Sequence, residues 1–431
     1  MSSNKKKMER KQDRERKRRQ NQQRGGNGAV PRQLLKPAPL AAATRGGNHG
    51  MATVGAARPL DMEHQFNGDM FASTEDQELA REEYPDVFHV LDHPALRDEF
   101  LRYDKVANTA KLWVHRVGLA AVVLAAVALF GSALTPVFRL NPDTPERVFD
   151  VLWLAEAGGI AGVIIAAGGI FLATLKKKWL KARMMSEVLR LWHFQSFICR
   201  GKQIESSCDR GNLKQPAEYQ ESRDKAFRAF LHEWSGALDS QLTRMVEHPQ
   251  AGYQMLHDEP TRFAPDCPVL EKIFKAYRSM RFRQQGNYAT HKLDKQTDKP
   301  LRILKWPAAL LQERMQGLAS FCLLASLGCS LIIVIGHLFH FDFANTIWLP
   351  AGIIVFLILN VAARAVQDGL AAPEELQRYN DYAGKIHYLL ERFDASHDSA
   401  EKLELMAEME RAALEELKGF LRAHSEARFV L

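Results

Sequence analysis

Between Ala157 and Leu175 the chain carries no charged side chain, and Lys176, Lys177, Lys178, Lys181 and Arg183 follow at once. An apolar run of this length matches the hydrocarbon layer of a bilayer, and a lysine cluster at its end marks the cytoplasmic side. Those five basic residues therefore act as topology anchors, and they set the direction of every other crossing. Upstream, Val117–Leu134 is a second apolar run with His115 and Arg116 at its cytoplasmic edge. The short outer loop between the two balances Arg139 and Arg147 against Asp143, Glu146 and Asp150. A later pair, Gly317–Gly336 and Ile347–Ala363, is joined by HLFHFDFANT, which contains no Lys or Arg, and Arg364 follows the last run. The pattern predicts an all-α membrane protein with four transmembrane helices in two hairpins (117–134 and 157–175, then 317–336 and 347–363). Both chain ends and the large middle segment are expected in the cytoplasm, with the chain in the inner (plasma) membrane.

Apolar residues make up 46% of the chain, yet the mean hydropathy is −0.26. Most of the chain must therefore be polar-faced helix outside the bilayer. Four segments are expected: a basic arm over 1–75, a helix–hairpin–helix unit over 85–200, a helical linker over 201–267, and a second helix–hairpin–helix unit over 268–431. The arm holds Lys5–Lys7, Arg10, Lys11, Arg14, Arg16, Lys17, Arg18 and Arg19, followed by a Gly/Ala/Pro mixture. That composition reads as disordered. No apolar h-region follows the basic run, so it is read as a cytoplasmic arm and not a signal peptide. Anionic lipid is a partner that such an arm can attract. Nucleic acid is disfavoured, because no aromatic residues interleave the charges.

Outside the spans, apolar residues recur at helical spacing. Asp92 and Pro94 open a helix bearing Leu96, Phe100, Tyr103 and Ala107, which runs on into the first span. A cytosolic helix is expected over Tyr219–Val246 and another after Pro268. Trp306-Pro307 opens the helix leading into the third span, Pro373 starts the first tail helix, and Asp398 with Glu401 suggests a capped restart. The last helix lines up Leu403, Met406, Glu410, Ala413, Leu417 and Phe420, with one charge among them. Both tail helices read as bundle or coiled-coil partners.

Within the second span, Ala155, Gly158, Gly162, Ala166, Gly169 and Ala173 share one side. Small residues at this spacing let helix backbones approach closely. The face, with Gly158, Gly162, Ala166 and Gly169 at its centre, serves either self-association of several copies or packing against another span of the same chain. Glu156 and Asn360 are the candidate intramembrane polar residues. Glu156 lies one turn from the outer end, within reach of water, and Asn360 suits an interhelical hydrogen bond. The five cysteines form no CxxC pair and two fall within a span, which argues against a disulfide framework or a zinc site. A phosphate loop, an HExxH pair and a GxSxG elbow are all missing from the sequence. No enzyme activity, cofactor, metal or catalytic residue is therefore expected.

Several stretches carry a family likeness. KKKWLKARMMSEVLRLWHFQSF after the second span and AYRSMRFRQQGNYATHK before the third are the main ones. The tail adds LLERFD, EKLELMAEMERAALEEL and EARFVL. Together they resemble the bacterial SLATT proteins, the SMODS- and SLOG-associating two-transmembrane effector domains, here as a tandem pair. The second unit resembles them more closely than the first. The resemblance implies a membrane effector of bacterial conflict systems that forms pores when a linked sensor detects a nucleotide signal. The chain contains no Gly-rich strand–turn–helix for such a sensor, so the sensor would be a separate protein. Two functions follow as expectations: an oligomerising, pore-type membrane effector, or a membrane-anchored helical scaffold without pore activity. A transporter is the weakest reading, since such sites need broken helices and midplane polar groups, and Pro350 and Asn360 are all these spans offer.

Overall fold

The computed structural model describes residues 67–139, 145–209, 214–248, 256–257, 263–264, 267–294, 306–341 and 348–429. Side chains of 134–171 lie outside that set, as does nearly all of the basic arm. The structure is all-helical. A 3-10 turn, Gly68–Met70, leads into α1 (Thr74–Glu83) and the single turn α2 (Phe88–Leu91). Ser73 and Asp76 close a capping box at the start of α1, each satisfying the other's backbone N–H.

Two long helices follow, α3 (Pro94–Arg139) and α4 (Pro145–Cys199), packed along one another. They contain 46 and 55 residues. At 1.5 Å per residue they run to about 70 and about 80 Å, far more than a bilayer core of about 30 Å. Each therefore combines an apolar half with a half embedded in the rest of the protein. The expected start at Pro94, and its uninterrupted run into the first apolar stretch, is what α3 does.

Next come α5 (Gly201–Ser207), α6 (Gln215–Gly236) and α7 (Leu238–Glu247). The single helix expected over Tyr219–Val246 is thus broken at Ala237, where Gly236 ends α6. Helix α8 (Pro268–Tyr277) passes through a π-helical stretch, Arg278–Arg283, into α9 (Gln284–Leu293). Two apolar helices then pair, α10 (Ala308–Leu338) and α11 (Trp348–Gly369), and α11 also packs on α3. The tail is α12 (Ala372–Ala395) and α13 (Ser399–Glu426). Asp398 caps α13 through Ala400 N–H, whereas Glu401 accepts from Ser396 and Arg392 and forms no reciprocal box.

Among the described residues, three helices are long and apolar enough to cross a membrane: Pro94–Ala133, Ala308–Leu338 and Trp348–Gly369. The run expected over 157–175 lies within α4, mostly where side chains are outside the described set.

Two apolar cores result. The larger takes Phe100 from α3, Trp192 and Phe194 from α4, Phe227 from α6, Tyr277 from α8, and Met406 and Leu421 from α13. Both segments read as separate units from the sequence contribute to it. The smaller gathers Val122, Leu311, Met315, Val366 and Leu370, where α3, α10 and α11 meet.

Candidate functional site

The largest concentration of chemistry is a run of ionised side chains inside the helical body. Three lie on α4, Arg183, Glu187 and Arg190, at i, i+4 and i+7 on one face. Glu187 sits between the two arginines. Arg183 Nη2 is 2.8 Å from Glu187 Oε1, and Arg190 Nη1 donates to both Glu187 oxygens at 2.8 and 2.9 Å. Arg183 also pairs with Asp104 of α3 at 3.6 Å.

From the N-terminal side the 3-10 turn inserts Asn67 and Asp69. Arg190 Nη2 donates to Asn67 Oδ1 at 2.7 Å, and Asn67 Nδ2 donates to Asp104 at 3.3 Å. Asp69 is fully buried; its Oδ2 lies 3.1 Å from Arg190 Nε, 3.8 Å from Arg281 and accepts from Gln285 at 3.1 Å. On the far side, Arg281 donates Nε and Nη2 to the two oxygens of Glu410 at 2.9 and 2.8 Å. Tyr277 adds its hydroxyl to Glu410 at 2.6 Å. The π-helical stretch of Arg278–Arg283 is what carries Arg281. Arg190 lies over the Phe100 ring and Arg281 over the Phe194 ring, at 4.9 and 4.7 Å.

Burial by itself would raise the Glu187 carboxyl, but Arg183, Arg190 and Arg281 outweigh it and hold it at about 2. Asp69 goes the other way: burial pushes it up despite Arg190 and Arg281. Four carboxylates (Asp69, Asp104, Glu187, Glu410) thus face three guanidiniums (Arg183, Arg190, Arg281), and burial disfavours the charge on Asp69. Each arginine in the set has a carboxylate partner, so the network joins α3, α4, α8–α9 and α13 to the turn at Asn67–Phe71. Chemically this is a lock, buried at Asp69, Arg190, Arg281 and Glu410 and partly open to solvent at Arg183 and Glu187.

A second polar cluster lies nearer the apolar helices. His424 Nε2 is 2.9 Å from Glu375 Oε1, and Arg378 bridges Glu375 at 3.2 Å to Glu416. Burial lowers His424, while Glu375 stays well below the usual carboxylate range because His424 and Arg378 override its burial. A third group surrounds Trp192. His93 is held at 2.8 Å from Asp224 yet pushed down to about 2 by burial and Arg223, and burial takes His193 to about 3. Burial disfavours the protonated form of both.

The sequence-derived candidates fall as follows. Lys176 Nζ donates to the carbonyls of Ser425 and Ala427 at 2.9 and 2.6 Å. Lys177 and Lys181 hold the two oxygens of Asp239 at 2.7 and 2.6 Å, and Lys178 is exposed. Arg183 belongs to the lock. Asn360 is buried and donates to Ala319 O at 2.5 Å, tying α11 to α10. Glu156, Gly158, Gly162, Ala166 and Gly169 lie outside the residues whose side chains are described. Sequence reasoning placed Glu410 on an apolar face without finding its partner; its signal was the single charge in that stripe. Asp69 gave no signal of its own.

No group of three or more His, Cys, Asp or Glu side chains among the described residues could hold a metal ion. Cys208 lies 3.9 Å from His89 Nε2, but burial raises its thiol and His89 is lowered, so no thiolate–imidazolium pair is favoured. A cleft between α4, α7 and α13 is lined by Val188, Gln195, Arg244, Met245, His248 and Lys418. Comparison with family models, with curated proteins and with solved structures returns no match to this chain.

Proposed function

We propose that the chain is an integral inner-membrane protein that crosses the bilayer four times, with its helical body and both ends in the cytoplasm. The observation that carries this reading is the uncovered face of α10. Phe321, Leu324, Leu327, Leu331, Val334 and Leu338 are 57 to 71% exposed on a helix of 31 residues. An apolar surface this long has no place in water and suits lipid or another span. The fourth crossing is assigned to residues 157–175 of α4, and the lysine cluster sets the direction.

Within that frame the chain acts as an oligomerising membrane effector, in keeping with its likeness to SLATT proteins. Copies associate through the span face of Gly158, Gly162, Ala166 and Gly169, and a separate sensor protein supplies the signal. The basic arm is assigned to anionic lipid. Support comes from the few polar side chains that the sequence places in these spans, of which Asn360 donates its amide to Ala319 O. The test is expression in bacteria with a membrane-potential dye, alongside alkaline extraction of the membranes. Depolarisation by a chain that resists extraction is expected. Resistance to extraction with no depolarisation at high expression would replace the effector with a membrane-anchored helical scaffold. Full release into the supernatant would end the membrane reading.

A further inference from the structure

The end of the chain reaches back to the point where two of the apolar helices enter the body, and it does so through one aromatic ring. Phe429, partly buried, packs against the smaller core of Val122, Val366 and Leu370, as Leu119 does. Its ring occupies the space above two glycines on different helices, Gly118 of α3 and Gly369 of α11. A Cβ on Gly118 would lie 2.3 Å from the ring, and one on Gly369 would lie 2.2 Å from it. Both are far inside van der Waals contact, and the ring carbon attached to the backbone side is within 2.7 and 2.5 Å of the two positions, so no flexible tip can simply turn away. Glycine within a helix is destabilising by roughly 0.5–1 kcal/mol relative to alanine. Here the lost side chains make a slot that the ring fills.

Two further features bear on the same joint. Lys176, the first of the lysines after the apolar run of α4, donates to Ser425 O and Ala427 O, so the segment bearing Phe429 is held by the span that precedes it. These carbonyls belong to the end of α13, where a cation is favoured by the unpaired C=O groups. Gly369 opens the turn from α11 into α12, and Ala371 in that turn holds φ 50°, a left-handed backbone that residues with a Cβ seldom adopt. Leu370, Ala371 and Ala372 are all buried there.

We propose that the C-terminal tail is an internal latch. Phe429, seated between Gly118 and Gly369 and held by Lys176, joins α13 of the body to the crossing of α3 and α11. It keeps the first and last apolar helices in one arrangement while α13 stays docked. Withdrawal of the ring frees the Gly369–Ala372 turn and lets the two hairpins shift against each other. The proposal rests on the reading of α3 and α11 as spans, and it names the joint that such an effector would have to move.

The test is hydrogen–deuterium exchange on the full-length protein in detergent, with carboxypeptidase trimming of the tail followed by mass spectrometry. Phe429→Ala is expected to raise exchange about tenfold or more at Gly369–Ala372 and in the last turn of α13, with the rest of the body unchanged. Gly118→Ala and Gly369→Ala, which expel the ring, should reproduce that pattern and speed removal of the tail by carboxypeptidase. Gly384→Ala is the control, because nothing lies within 4 Å of a Cβ there. Exchange in Phe429→Ala equal to the unaltered protein overturns the latch, as does an equal rise in Gly384→Ala. Should the two glycine variants fail to fold, Phe429→Ala decides the matter alone. None of these readouts depends on a bilayer, so the latch and the membrane reading can fail separately.

Discussion

The body and the apolar bundle are built on opposite rules. In the body, charge is taken inside and paired: Arg190, Arg281 and Glu410 are buried and Glu187 partly so, and each meets an opposite charge within 3.1 Å. In the bundle, charge is nearly missing and the apolar faces of α10 are left open. On the proposed membrane reading, the difference follows from the solvent each part meets. Water pulls charges outward, so a charge kept inside must be paired with care, and the pairing then specifies one arrangement. Lipid exerts no such sorting on apolar side chains, so a helix can show them freely while its backbone satisfies itself. Apolar burial holds the body together, and its ion pairs choose among the ways of packing it.

Four experiments can break or sharpen that contrast. The largest effect is expected from cutting the lock. Arg281→Ala leaves Glu410 buried without its cation and should destabilise the body by about 3–5 kcal/mol, read as a fall in the unfolding midpoint by circular dichroism in detergent. Replacing both, Arg281→Met with Glu410→Leu, should lose much less. A single variant as stable as the unaltered chain would mean that the pair is idle.

Next in size is a charge on the open apolar face of α10. Leu327→Arg should cost about 2.5–3.5 kcal/mol in membrane insertion, seen as reduced recovery in the membrane fraction. The same change at Leu79, 64% exposed on α1, should stay within about 0.5 kcal/mol. Equal effects at the two sites would erase the distinction between the two surfaces.

Acid supplies the third. His93 and His193 are held at about 2 and about 3 in the folded chain, below the ordinary 6.5. The unfolded chain therefore binds protons first, and stability is lost as pH falls from 6.5 toward 3, by about 1.4 kcal/mol per histidine per pH unit. Glu187, held at about 2 against an ordinary 4.5, adds its own loss only between those two values. Denaturant melts between pH 7 and pH 5 should fall accordingly, and His193→Gln should flatten the slope. A flat profile would remove the buried histidines from the account. Smallest is Asn360→Ala, which deletes the bond to Ala319 and should cost about 0.6 kcal/mol, the average for such interhelical bonds in membranes. Steric trapping of α10 against α11 can resolve it.

How much of this was legible beforehand depends on whether the signal is local. The start of α3 at Pro94 follows from proline chemistry, the cap of α13 from Asp398, and the presence of α10 and α11 from apolar runs that each helix extends beyond. Each is a property of neighbours in the chain. The break at Ala237 was missed, because the apolar spacing continues across Gly236 from α6 into α7. Lys177 and Lys181 were read as membrane flanks, and in the fold they also clasp Asp239, some sixty residues on.

The sequence by itself determined that the chain is helical, that it carries long apolar helices and where their basic edges lie. Periodicity and composition suffice for that, since they act through the backbone nearby and through the surrounding solvent. Only the tertiary structure decided that Arg281 meets Glu410, that Asp69 enters from the far end of the chain, and that Phe429 closes over Gly118 and Gly369. Charge attraction and ring-to-backbone contact act over a few ångströms, and helix packing alone brings residues this distant in sequence within that range.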